Sequence, residues 1–187
     1  MKTIPIYKFF ATAFNYVTGD QRRSQQFGFA VNMTYSLLLK TFSERCIPEI
    51  NNGKTHPLVE KFIKNAVTIA YKEYECPFDR LVPHKNNIII NNGFRISFKC
   101  ILDQTGKKII MLNFGREGNL NQETGALIGL INEFQLSNPM PVGDFKQICY
   151  WCLNSGKEVC ISLDEVVPLP RNKILEVLET IANSNIL

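Results

Sequence analysis

The sequence predicts a single α/β domain built on a mixed sheet, and three observations predict it. The apolar period changes from helical to alternating after Pro77. Three strand-like runs are followed by a helical stretch and then by two more strand-like runs, so helices and strands are interleaved along the chain. An amphipathic stretch closes the chain as a helix. At 187 residues and 45% hydrophobic composition, the chain is long and apolar enough for one domain with a sizeable core, which excludes wholesale disorder. We read residues 1–187 as that domain, with a helical part over 1–76 and a sheet-containing part over 77–187.

Taken in order, residues 3–17 alternate poorly and fit either a short helix or an extended lead-in. "GDQRRSQQFG" is polar and reads as a loop or a helix start. From Phe27 to Phe42, apolar residues at Phe27, Val31, Leu38 and Phe42 recur at helical spacing. Pro48, Gly53 and Pro57 break that pattern. "PLVEKFIKNAVTIAYKEYE" is the clearest amphipathic helix, with Leu58, Phe62, Ile63, Ala66, Ile69 and Ala70 on one face and Pro57 in its first turn. In "FRISFKCIL" the alternation puts Phe94, Ile96, Phe98, Cys100 and Leu102 on one face, and Arg95, Ser97, Lys99 and Ile101 on the other. "DQTGKK" is a hairpin turn into "IIMLNF". "NQETGALIGLINEF" follows as a helix capped by Asn119 or Asn121. Its Gly125 and Gly129 each cost roughly 1 kcal/mol relative to alanine, which predicts close packing onto the sheet there. "FKQICYWCL", "SGKE" and "VCISL" form a second hairpin, and Pro170 precedes the closing helix "RNKILEVLETIAN".

The formal charge is +4, with a pI near 8.7, a mildly basic balance compatible with nucleic acid. The six cysteines, Cys46, Cys76, Cys100, Cys149, Cys152 and Cys160, sit mostly in apolar stretches and read as free thiols in a reducing, cytoplasmic setting. Pro5 and Lys8 interrupt the N-terminal apolar run, which argues against a secretory signal, and no stretch has the length of a membrane span. No membrane partner is expected.

The order of elements and turns, from about Phe27 to Ile181, resembles the RecB-like branch of the PD-(D/E)XK nuclease superfamily. The resemblance implies a restriction-endonuclease-like mixed sheet flanked by helices. It also implies a metal-dependent phosphodiesterase site, with magnesium or manganese held by carboxylates and a lysine beside the nucleophile. Laid residue by residue, the histidine position falls on Asn32 after Gly28, and the glutamate position near His84. The first aspartate falls on Cys100 or Asp103, and Asp-x-Lys on Asn113-Phe114-Gly115, while Gln122 fits the helix glutamine. At best one of two metal carboxylates, Asp103, is kept, and the lysine is gone.

Three functional readings follow. In the first, the domain is a pseudo-nuclease that binds DNA, RNA or a nucleoprotein partner through Lys99, Lys107, Lys108, Arg116, Arg22 and Arg23. Lys107 and Lys108 fit equally well as solubilising charges at a hairpin tip. In the second, it is an active, divergent nuclease using Asp103 as catalytic and metal-binding residue with His84 and Glu117. In the third, it is a protein-interaction module or homo-oligomer, with "KFIKNAVTIAYKEYE" at the interface. Cys149, Cys152 and Cys160, with Cys76 or Cys46, copy the cysteine usage of iron–sulfur relatives. A strand would point Cys149 and Cys152 to opposite faces, however, so a structural hairpin is expected and no cluster. Only His56 and His84 are available for zinc, without paired spacing, and Asp144-Phe145-Lys146 matches the motif by chance in a loop.

Overall fold

The computed structural model describes residues 2–16, 21–46, 56–91, 93–115, 117–140 and 144–183, the side chains of 21–26 excepted. It is a mixed α/β fold whose seven-stranded sheet has the order β5-β2-β3-β4-β6-β7, with β1 paired to β3. The chain enters as β1 (Lys2–Pro5) and α1 (Ile6–Ala13), then runs through α2 (Gln21–Glu44), α3 (Pro57–Glu73) and the single turn α4 (Pro77–Arg80). The strands β2 (Leu81–Asn91), β3 (Phe94–Asp103) and β4 (Lys108–Asn113) form an antiparallel meander. Helix α5 (Leu120–Glu133) then crosses over to β6 (Gln147–Cys152), which lies parallel to β4, and β7 (Lys157–Ser162) returns as a hairpin. Between α5 and β6, β5 (Gln135–Leu136) pairs with the β2 edge, and α6 (Arg171–Asn183) closes the fold.

Strand alternation sorts the side chains into two cores. Ile96, Phe98, Cys100 and Leu102 of β3, with Ile109 and Met111 of β4 and Ile148 and Tyr150 of β6, pack against α1, α5 and α6. Ile101, Ile110, Leu112, Cys149 and Trp151, from the intervening positions, pack against α2 and α3. The faces expected for β3 are those observed. On α3 the apolar stripe is also as read, except that Val59 is the fully buried residue at its start and Leu58 only partly so.

Two elements were not legible. Residues 3–17 hold both expected alternatives, the short helix α1 and an extended lead-in, but the lead-in is a parallel strand: Ile4 is fully buried beside Ile96, and β1 shares the β3 edge with β4. The two-residue β5 is fixed by Asn86, wholly buried, whose amide donates to the Asn138 carbonyl at 2.6 Å and accepts from the Asn138 N–H at 3.0 Å. At α5 the N-cap is Asn119, whose carbonyl accepts the Glu123 N–H. Gly125 and Gly129 do permit close packing, but onto the backbone of the segment before α6 and not onto the sheet. A Cβ on Gly125 would stand 2.5 Å from the Val167 carbonyl oxygen, and one on Gly129 would meet that of Leu169.

The cysteine reading needs correcting at one pair. Register places Cys149 directly opposite Cys160 on the hairpin, and the two form a disulfide. Cys46, Cys76, Cys100 and Cys152 are free. Cys149 and Cys152 do face opposite cores. No helix of the described residues is long and apolar enough to cross a membrane.

Candidate nucleic-acid interface

Asp103 ends β3 and is fully buried on the α2/α3 side of the sheet. Its carboxylate is already engaged: Arg80 Nε donates to Oδ1 at 2.7 Å and a terminal guanidinium nitrogen donates to Oδ2 at 2.8 Å. The Gly106 N–H adds a third bond to Oδ1 at 2.9 Å, which closes the hairpin turn. A guanidinium therefore stands where a divalent cation would have to approach.

The other two catalytic candidates lie elsewhere. His84 sits on β2 opposite Cys100, on the face away from Asp103, with its ring nitrogen 3.3 Å from the Asn86 amide; partial burial lowers its pKa. Glu117 follows the far end of β4 and accepts from the Ser155 hydroxyl. Lys108, paired with Asp103, and Asn113 bound β4, so Asp103 and the Glu117 turn are separated by the strand's length, about 17 Å. The structure does not bring the three together. Asn113 turns into its own backbone, its Oδ1 accepting the Gly115 N–H at 2.9 Å, which finishes the strand as an Asx turn. Gln122 is exposed at the start of α5, beside Phe14 and Gly125.

The basic candidates divide. Lys108 is committed to Glu158 at 3.5 Å and lies over the Tyr74 ring, so it is part of the core wall. Lys107 is exposed at the β3–β4 turn with φ 53°. Arg22 and Arg23 fall in the first turn of α2, where side chains are not described, and Arg116 lies outside the described residues.

Lys99 leads to a feature the sequence did not expose. It is half-buried on the α2/α3 side of β3, its ammonium 5.4 Å from the centre of the Tyr35 ring of α2, and burial with the charge of Lys85 lowers its pKa. Lys85 of β2 is directly opposite it in the ladder and exposed. On the same face the register continues through Asn87 opposite Ser97 and Ile89 opposite Arg95, and Arg95 donates to the Thr3 hydroxyl of β1 at 2.7 Å. Among the described residues, no carboxylate forms an ion pair with Lys85, Lys99 or Arg95. Like charges directly opposite on adjacent strands repel, and among the described residues no carboxylate pairs with either lysine. The result is a strip of three cations with amide and hydroxyl donors, Lys85 exposed and the others half-buried, on the sheet face that carries α2, and its charge suits a polyanion. Alternation marks Arg95, Ser97 and Lys99 as one face from sequence, but the Lys85 partnership needs the β2–β3 register. Comparison with family models, curated proteins and solved structures finds no match for this chain.

Proposed function

We propose that the protein is a nuclease-like domain that binds nucleic acid, alone or within a nucleoprotein, without cutting it. The observation that carries the reading is the Lys85–Lys99 pair: two cations held opposite each other without a carboxylate, on a face that also offers Arg95, Asn87 and Ser97. Phosphates spaced along a backbone would relieve that repulsion. The antiparallel meander followed by a helical crossover to a parallel strand and a hairpin supports the RecB-like layout expected from sequence. Loss of cutting is supported by Asp103, whose oxygens are taken by Arg80 and Gly106, and by Asn113 and Gly115 at the Asp-x-Lys position. An intracellular setting belongs to the same reading: the exposed free thiols of Cys46 and Cys76 support it, and the Cys149–Cys160 disulfide weighs against it.

The test uses labelled single- and double-stranded DNA and RNA with magnesium, manganese or chelator, scoring binding and cleavage in the same tubes. Binding is expected in chelator, with no metal-dependent products. The double variant Lys85→Gln/Lys99→Gln is expected to bind at least about tenfold more weakly, as two lost phosphate contacts require, with a melting temperature no lower than that of the wild type because the repulsion is removed. Absence of binding, or metal-dependent cleavage by the wild type, would overturn the proposal.

A further inference from the structure

Away from the basic face, one side-chain cluster has metal-ligand chemistry that the reading above does not use. Cys149 lies on β6 opposite Cys160 of β7, and Glu158, two residues before Cys160, projects from the same side of the hairpin. One donor atom from each of the three lies within 4.8 Å of the others; Cys149 is buried, Glu158 half-buried and Cys160 exposed. We propose that, with its disulfide reduced, this hairpin is a zinc site with Cys149, Cys160 and Glu158 as ligands. Zinc and the disulfide would then be alternative clips on the same two strands.

The chemistry balances as a two-step exchange. A dithiol reductant transfers two electrons and two protons to the Cys149–Cys160 bond, giving two protein thiols and an oxidised, cyclic reductant. Zinc then displaces both thiol protons and binds two thiolates. Thiolates on a tetrahedral zinc stand about 3.8 Å apart, and a thiolate and a carboxylate oxygen about 3.6 Å, so side-chain rotation closes the site while the ladder keeps its register. Two thiolates and one carboxylate around a divalent ion leave one net negative charge. The Lys108 ammonium, 3.5 Å from Glu158 Oε2, offsets it. The other carboxylate oxygen is held by the Tyr74 hydroxyl and by Trp151 Nε1 at 3.1 Å, which fixes the ligand's orientation in the way outer partners of metal ligands do. The exposed Cys160 side leaves the fourth position to water. Soft sulfur donors select zinc over magnesium or calcium.

The experiment takes the full chain, reduces it with a phosphine so that no added thiol competes, and titrates zinc chloride against a chromophoric chelator. One zinc per chain is expected after reduction and none by the oxidised chain. Cys160→Ser is expected to abolish uptake, and Glu158→Gln to weaken it at least about tenfold, whereas Cys46→Ser/Cys76→Ser leaves it unchanged. A readout without mutation follows alkylation by peptide mapping: zinc is expected to protect Cys149 and Cys160 while Cys46 and Cys76 label at their former rates. Reduced protein that takes up no zinc, uptake lost with Cys46 and Cys76, affinity unchanged in Glu158→Gln, or alkylation of Cys160 unaffected by zinc would each overturn the three-ligand site.

Discussion

Arg80 and Asp103 form an unequal pair. The carboxylate is wholly buried, whereas 28% of the guanidinium side chain remains exposed. Removing one partner of a buried ion pair leaves the other to be rehydrated, and these two differ in their access to water. Arg80→Ala strands an anion with no solvent contact and is expected to cost about 3–5 kcal/mol. Asp103→Ala leaves a cation that can reach water, and its loss is expected to be smaller, about 2 kcal/mol, mainly from the Gly106 turn bond and the emptied site. Urea unfolding of the two variants checks the order, and equal losses would sink the argument. It also means that an activity lost in Asp103→Ala needs a fold control before it is read as catalysis. At this scale the sequence shows Asp103 as an acid before a turn, which is also where a metal carboxylate would stand. Its partner is 23 positions away, brought there by the turn α4, so the pairing that decides between ligand and structural anchor is tertiary.

Helix α5 shows the same division between local and distant causes. Its two glycines weaken the isolated helix, and an exposed Gly→Ala change would stabilise by about 1 kcal/mol. At Gly129 the new methyl would meet the Leu169 carbonyl oxygen and the Ile174 side chain, and backbone cannot rotate aside as a side chain does. Gly129→Ala is therefore expected to destabilise, by about 1–3 kcal/mol in urea unfolding, because overpacking exceeds the propensity gain. A stabilised Gly129→Ala protein would show that the 167–169 segment yields. Elements with strong periodicity, α3, β3 and the β6–β7 hairpin, were legible because each buries one face by local alternation. The parallel strand β1 was not, since four residues ending in Pro5 carry almost no period and their pairing partner lies about 90 positions on. The cation strip was half legible for the same reason: Lys99 and Arg95 share a strand, but Lys85 joins them only through register.

On the scale of the whole molecule, a formal charge of +4 over 187 residues is a weak field. What matters is where the unneutralised charge lies. Lys40, Arg45, Lys72, Lys108, Arg171 and Lys173 each stand beside a carboxylate, as Arg80 does beside Asp103. Lys61, Lys64, Lys107, Lys146 and Lys157 also make no ion pair among the described residues, whereas Lys85, Arg95 and Lys99 share one sheet face in register, so counterions and polyanions should collect there. If these three make the phosphate contacts, the logarithm of the binding constant should fall with the logarithm of salt concentration. The slope should be about −2 for a single strand and about −2.7 for a duplex. Lys85→Gln/Lys99→Gln should flatten the single-strand slope to about −0.7, while Lys107→Gln, at the hairpin turn, should leave it near that of the wild type. Fluorescence anisotropy across a potassium chloride series measures all three. A slope that the double variant leaves unchanged would place the contacts on another surface. A much steeper wild-type slope would mean that cations outside this strip take part, which assigns the sheet face a share of a larger footprint.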